Sequence, residues 1–266
     1  MKVSVVQHDI VWEQPEATHA HVAPMIAKAA ADGARLIVLA EMFATGFSML
    51  PEQVGEDEGG SSEQFLLAQA AQHDAYLVAS IAQRGGDGRY RNNAIVAAPD
   101  GSVRRYAKIH PFSYSGEHKH YEAGTEHLTV NVDDVRMSVF VCYDLRFADE
   151  FWVLAEGTDL YVVVANWPEA RREHWRALLR ARAIENQAYV VGVNRVGQDM
   201  YLDYLGDSAV IEPSGQALVE CIGGEGVHTV DIDRATVTHT RNTLPFLADR
   251  RKSFGGKTDT SEYRPY

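Results

Sequence analysis

The chain has 266 residues, 45 % of them hydrophobic, and a formal net charge of -12. That charge argues against nucleic acid or an anionic membrane surface as a partner, and no apolar run is long enough to span a bilayer. Two cysteines, Cys142 and Cys221, make neither a disulfide framework nor a metal-ligand spacing, so the composition predicts a soluble, cytoplasmic α/β protein folded as a single domain over 1–266.

Met1 leads straight into an alternating strand at Lys2 to His8, with no apolar run ahead of a cleavage site. A helix is predicted from about Pro15 to Ala31, stopped by Gly33, and RLIVLA at Arg35 to Ala40 reads as a second strand that ends in Glu41. This β, α, β order with apolar strands points to an α/β sheet. Met42 to Gly60 reads as a long loop, of the kind that often carries function. Ser61 is predicted to cap a helix running to about His73. Tyr76 to Gln83 and Asn93 to Ala98 form a strand pair, and the Asp100–Gly101 turn leads to a strand at Ser102 to Ala107 that ends in Lys108.

Lys108 to Gly124 is a second irregular segment, crowded with His110, Glu117, His118, Lys119, His120 and Glu122. The β-branched and aromatic run Val135 to Val141 then reads as a buried strand ending in Cys142, and Phe147, Phe151, Leu154 and Ala155 follow at helical spacing. A thiol at such a junction meets the free N–H groups and positive end of a helix, which favour thiolate and oxyanion. Leu160 to Ala165 is a further strand, ending in Asn166 and Trp167. Glu169 to Asn186 is an amphipathic helix, and strands are predicted at Ala188 to Asn194, Gly206 to Glu212, Gln216 to Cys221 and Val227 to Ile232. From about Phe246 the chain reads as a C-terminal arm.

Glu41, Lys108 and Cys142 thus share one placement, each at the C-terminal end of an apolar strand, the edge where α/β sheets bind ligands. Taken singly, each is a common loop residue or a core thiol. Their contexts are more specific. LAEMFATGF around Glu41, YAKIHPF around Lys108 and VCYDLRF around Cys142 resemble the three signatures of the nitrilase superfamily of carbon–nitrogen hydrolases, in the same order. NNAIVAAPDGSV ahead of the lysine, ARAIENQAYVVGVNRVG at Ala181 to Gly197 and GDSAVIEPSG at Gly206 to Gly215 extend the resemblance nearly end to end.

The resemblance implies a four-layer αββα sandwich, a catalytic Glu–Lys–Cys triad, no metal or organic cofactor, and a homodimer or larger assembly. The flanking text is most similar to the ω-amidase branch, which hydrolyses the terminal amide of short dicarboxylic acid monoamides such as 2-oxoglutaramate. The alternatives are a nitrilase, an N-carbamoyl amide hydrolase, an aliphatic amidase, or an inactive binding protein on the same scaffold.

The residue types suit that chemistry. An amide carbonyl is a poor electrophile and needs a strong nucleophile such as a thiolate. Glu41 takes the thiol proton, passes it to ammonia, then activates water against the thioester, two roles that require a pKa near the working pH. Lys108 and the backbone N–H of Tyr143 hold the oxyanion. The superfamily has a second glutamate near the lysine. Glu117 matches its distance to Gly124 better than Glu122 does, so Glu117 is assigned that role and Glu122 the surface. Phe43, Tyr114, Asn166 and Trp167 are expected to wall the pocket. Arg146 is a candidate for a substrate carboxylate, against the plainer reading that it pairs with a carboxylate near the strand end; Lys119, Arg195 and the loop histidines are the other cations. A metal held by His118 and His120 lacks a third ligand at recognisable spacing. Phe151, Trp152, Phe246 and Leu247 are candidate subunit contacts.

Overall fold

The computed structural model describes residues 1–251. Two seven-stranded mixed sheets form the centre. The first runs, strand by strand, Gly226–Asp231, Lys2–Gln7, Leu36–Val38, Tyr76–Arg84, Tyr90–Ala97 and Val103–Ala107, with Glu56–Asp57 beside Tyr76–Arg84. The second runs Val196–Gln198, Asp203–Ile211, Tyr189–Asn194, Leu160–Ala165, Val135–Val141 and Thr129–Val132, with Ala217–Ile222 against Asp203–Ile211. In each sheet the three central strands are parallel and the flanking ones pair antiparallel, except for the short Glu56–Asp57, which pairs in parallel with Tyr76–Arg84.

The largely apolar segments predicted as central strands are buried on both faces apart from Arg136 at the start of Val135–Val141, as parallel strands between two layers must be. The period-2 alternation sorts their side chains. Leu36 and Val38 join Val3, Val5, Val139, Val141, Val162 and Val164 in the core between the sheets, whereas Ile37 and Leu39 face Val22, Ile26, Leu66 and Ala70 of the helices Pro15–Ala31 and Ser61–His73. On the far side Arg172–Asn186 packs Trp175 and Leu179 against Gly192, where a Cβ would stand 2.5 Å from a Leu179 methyl. Helix layer, sheet, sheet and helix layer make the expected αββα sandwich.

Several local expectations change. Ser61 is the first helical residue after the N-cap Gly60, and its side chain caps nothing; the Glu56 carboxylate instead accepts the Ser62 N–H at 2.8 Å. The helix Ala148–Leu154 starts later than predicted, because a five-residue 3₁₀ turn, Cys142–Arg146, comes first. The helix Arg234–Thr243, capped by Asp233, was not foreseen, nor was the strand Thr129–Val132. The arm expected from about 246 begins as an attached 3₁₀ turn, Phe246–Asp249, with Leu247 buried in the same chain; its remainder lies outside the described residues. Phe151, a candidate subunit contact, is fully buried within the chain and stacks on Phe140 at 4.0 Å. No helix among the described residues is long and apolar enough to cross a membrane.

Candidate active site

Each of the three strand-end groups is delivered by a chain that leaves its strand and turns. Glu41 follows Leu36–Val38 and Lys108 follows Val103–Ala107, both in the first sheet, while Cys142 follows Val135–Val141 in the second. The site is therefore assembled between two sheets rather than along one edge. Cys142 has φ 46°, a left-handed conformation that costs a non-glycine residue energy and needs surrounding contacts to hold it. Asp144 supplies them. Its buried carboxylate accepts the Val141 N–H at 3.1 Å, the His110 N–H at 2.9 Å and the Tyr106 hydroxyl at 2.9 Å, tying the elbow to the segment that carries Lys108. The thiol thus sits on a 3₁₀ turn pinned by a carboxylate, and not directly at the N-terminus of an α-helix as the spacing suggested.

Behind the thiol lies a closed set of charges. The Lys108 ammonium donates to Glu41 Oε1 at 2.9 Å and to both Glu117 oxygens at 2.9 and 3.1 Å, all three side chains being buried. Asn92 donates to Glu41 Oε1 at 2.7 Å and to Glu117 Oε1 at 3.2 Å. The Asn166 N–H donates to Glu41 Oε2 at 2.8 Å, and the Asn166 amide donates to the Glu41 carbonyl at 2.6 Å. Glu117 also accepts the Phe112 N–H. Burial alone lowers the pKa of an ammonium, but Glu117 and Glu41 outweigh it and hold Lys108 well above its ordinary value. Burial pushes the Glu117 carboxyl up against the opposing pull of Lys108. Burial, and then the Glu41 carboxylate, push the Cys142 thiol well above its ordinary value, with Lys108 opposing. With its pKa raised, the thiol needs a base, which is the role expected of Glu41, and the helix end expected to favour thiolate does not stand directly behind it.

Cys142 opens into a funnel of about 470 Å³, counted to its open mouth, walled by Tyr143, Arg146, Asn166, Trp167, Phe47 and Phe112 among others. Phe43 is not among them. It is fully buried, stacked with His19 and Phe65 under the helix layer, because the turn at Met42 (φ 39°) sends it inward and leaves Phe47 to face the site. Tyr114 is 87 % exposed and Phe112 takes its expected place. Arg146 has no carboxylate partner among the described residues, against the plainer reading of it. It meets His174 Nδ1 at 3.2 Å and lies 4.8 Å over the Trp167 ring, on the funnel wall. Arg171, which the sequence reading passed over, lines the same wall and likewise has no carboxylate partner among the described residues.

The remaining cations are placed elsewhere. Arg195 is buried and held by Asp9 at 2.7 Å, and Lys119, His118 and His120 are exposed. Glu122 pairs with Arg89 at 2.9 Å on the surface. Among the described residues no group of His, Cys, Asp or Glu is arranged to hold a metal ion. Asn92 and Asp144 were missed as site residues, although two adjacent asparagines within an apolar strand run against strand propensity and were a visible signal.

Two mixed sheets between helix layers, with a thiol, two carboxylates and an ammonium gathered where the strands end, define a thiol hydrolase built on an αββα sandwich. The chain belongs to the Carbon-nitrogen hydrolase family, which it matches over residues 2–242. It is 35 % identical to the omega-amidase YafV of Escherichia coli K12, covering 99 % of this chain and 98 % of that one. To the 2-oxoglutaramate amidase of Bacillus subtilis it is 31 % identical, over 94 % and 97 %. The crystal structure of XC1258 from Xanthomonas campestris, a CN-hydrolase superfamily protein with an arsenic adduct in its active site, superposes with a TM-score of 0.91 at 36 % identity, over 96 % and 99 % of the two chains. The expected family and fold are thereby borne out.

Proposed function

We propose that this chain hydrolyses the terminal amide of a short dicarboxylic acid monoamide, of the 2-oxoglutaramate or succinamate kind, through a thioester on Cys142. The observation that carries the substrate class is the pair Arg146 and Arg171 on the funnel wall. In a protein of net charge -12, two guanidinium groups beside the nucleophile have no carboxylate partner among the described residues. A guanidinium fork binds a carboxylate by two parallel hydrogen bonds and leaves a distal amide at one distance from the thiol. The names of the relatives, omega-amidase and 2-oxoglutaramate amidase, support the same reading.

The chemistry follows from the charges. Glu41 Oε1 already accepts from Lys108 and Asn92, whereas Oε2 accepts only from the Asn166 N–H, so Oε2 keeps a lone pair for the thiol proton. As that proton moves, Sγ adds to the amide carbon and the oxyanion forms against Lys108 and the Tyr143 N–H; one such donor is worth about 3–4 kcal/mol. Glu41 returns the proton to nitrogen, ammonia leaves, and the emptied carboxylate takes a proton from water as its oxygen attacks the thioester. Glu117 keeps Lys108 charged throughout. Both sheets contribute to the site, which supports reading the chain as one domain.

The test is ammonia release from succinamate and 2-oxoglutaramate against butyramide, an uncharged amide of equal length. The acids are expected to be preferred, and Arg146→Leu to lose that preference. Equal turnover of butyramide, or of the matching nitrile, sinks the carboxylate reading. We further infer a homodimer or larger homo-oligomer, supported by Val153 and Ile184, which are 61 % and 45 % exposed on the outer helices. Light scattering that shows only monomer at micromolar concentration refutes it. A free nucleophilic thiol favours a reducing compartment, which supports a cytoplasmic setting.

A further inference from the structure

The funnel has a second arm. A groove of about 1100 Å³, counted to its open mouth, leaves the funnel past Phe47, Leu202 and Tyr204, which line both. Farther out its walls are Trp12, Leu50, Met200 and Tyr201, while Arg146 and Arg171 line the funnel alone. The hydroxyls of Ser48 and Tyr204 and the Asp199 carboxylate along the groove are already engaged. The Ser48 hydroxyl donates to Glu13 at 2.6 Å, and the Asp199 carboxylate accepts the Tyr204 hydroxyl at 2.7 Å and the Tyr201 and Leu202 N–H groups at 2.8 Å. What remains for a ligand is apolar surface. Leu50, Met200 and Tyr201 are 46, 69 and 78 % exposed, an apolar patch that soluble proteins seldom leave uncovered without a use for it.

The direction of the groove identifies its occupant. Phe47 stands where the groove meets the funnel, and its ring centroid lies 5.1 Å from Lys108 Nζ, which is bonded to Glu41, so the junction is on the side of the site that holds these two. In an amide the acyl chain and the nitrogen point away from each other across the carbonyl carbon. With the acyl carboxylate on the arginine wall, which is the reading proposed above and on which this inference rests, the nitrogen faces Glu41 and anything attached to it runs into the groove. We propose that the groove binds an apolar substituent on the amide nitrogen, so that the protein also hydrolyses secondary amides made of an ω-carboxyl acyl group and an alkylamine.

The step balances as the primary reaction does. The Cys142 Sγ–carbon bond forms and its proton passes through Glu41 to the nitrogen; the carbon–nitrogen bond breaks and the neutral alkylamine departs along the groove. Water then supplies the oxygen that breaks the thioester, and its proton returns through Glu41 to the sulfur. Net consumption is one water, and no redox partner is involved.

The experiment uses the purified full chain with N-ethyl, N-butyl and N-hexyl succinamate, reading amine release, beside succinamate itself. The expected result is a kcat/KM that rises about two- to fourfold per added methylene, as burial of each in an apolar groove requires. Met200→Glu and Leu50→Glu, both outside the funnel, are expected to flatten that rise and leave succinamate turnover unchanged. A kcat/KM that falls with chain length while succinamate is turned over overturns the groove and leaves the dicarboxylate reading standing. Turnover of N-hexylbutyramide with both succinamate and its N-alkyl derivatives inert does the reverse. If the two variants change the mass seen by light scattering without changing discrimination among the amines, the patch is an interface between copies and the proposal is wrong.

Discussion

The Lys108 ammonium donates to both oxygens of the Glu117 carboxylate, at 3.1 and 2.9 Å, and neither side chain reaches solvent. An ammonium buried alone would shed its proton, so this carboxylate is what lets Lys108 remain a cation beside a reacting carbonyl. Glu117→Gln keeps the shape and removes the charge. The Lys108 pKa then falls from its raised value, and the alkaline limb of the kcat/KM profile is expected to move to lower pH, with kcat down by about two to three orders of magnitude, the scale of one lost oxyanion donor. An unmoved alkaline limb would separate Glu117 from the charge state of Lys108.

Cys142→Ala is expected to abolish ammonia release while leaving the far-ultraviolet circular dichroism and the thermal transition close to those of the parent. The change removes one sulfur atom and relieves nothing that holds the elbow, since Asp144 does that. Near-normal turnover would remove Cys142 from the mechanism.

The thiol is pushed up by burial and by the Glu41 carboxylate. Glu41→Gln removes the second cause, so the Cys142 pKa falls and the midpoint of its alkylation by iodoacetamide shifts to lower pH, even as amide turnover is lost. The two readouts move in opposite directions because one needs only thiolate and the other needs a base. A midpoint that rises instead contradicts the electrostatic account of the site.

Asn92 bridges the two buried carboxylates. Its replacement by Ala strips Glu41 Oε1 and Glu117 Oε1 of a donor, and a hydrogen bond to a charged group is worth about 1.5–3 kcal/mol. The expected loss is about 10- to 150-fold in kcat with KM little changed. Stopped assays over a range of succinamate concentration separate the two constants, and an effect confined to KM would place Asn92 in substrate binding.

His110 stacks on Phe147 at 3.6 Å, and its imidazole meets Asp144 Oδ1 at 3.1 Å, which raises its pKa against the opposing effect of burial. A group whose folded pKa is raised stabilises fully below its unfolded pKa and loses that contribution as pH climbs through the folded one. His110→Gln is therefore expected to lower Tm more at about pH 6 than at about pH 9, since an unperturbed histidine titrates near 6.5. Equal losses at both would mean that the ring acts by packing alone.

Element positions were legible wherever the pattern is local. Val135–Val141, Leu160–Ala165 and Tyr189–Asn194 are largely apolar and β-branched, and Pro15–Ala31 carries helical spacing, so each was predicted to within a residue or two. Segments whose order comes from neighbours far along the chain were not. The strand Thr129–Val132 is only four residues long; its alternation of Val130 and Val132 with Thr129 and Asn131 was a visible but short signal, and it is held by the edge that Val135–Val141 offers it. The Cys142–Arg146 turn depends on Asp144 reaching backbone groups of two different segments.

By itself, the sequence determined that a thiol, a carboxylate and an ammonium end three strands, and which family those strand ends resemble, because residue type and local periodicity are properties of a few neighbouring positions. Only the tertiary structure decided that two of these groups come from one sheet and the third from the other, and that Asn92 bridges Glu41 and Glu117. The direction of a loop side chain was equally beyond reach: a single turn at Met42 buries Phe43 and presents Phe47, and the packing of the 108–124 segment presents Phe112 and leaves Tyr114 in solvent. The upward shift of the Cys142 thiol was beyond local reading for the same reason. Desolvation and the field of a carboxylate from another strand are set by what folds over a residue, and no local pattern encodes them.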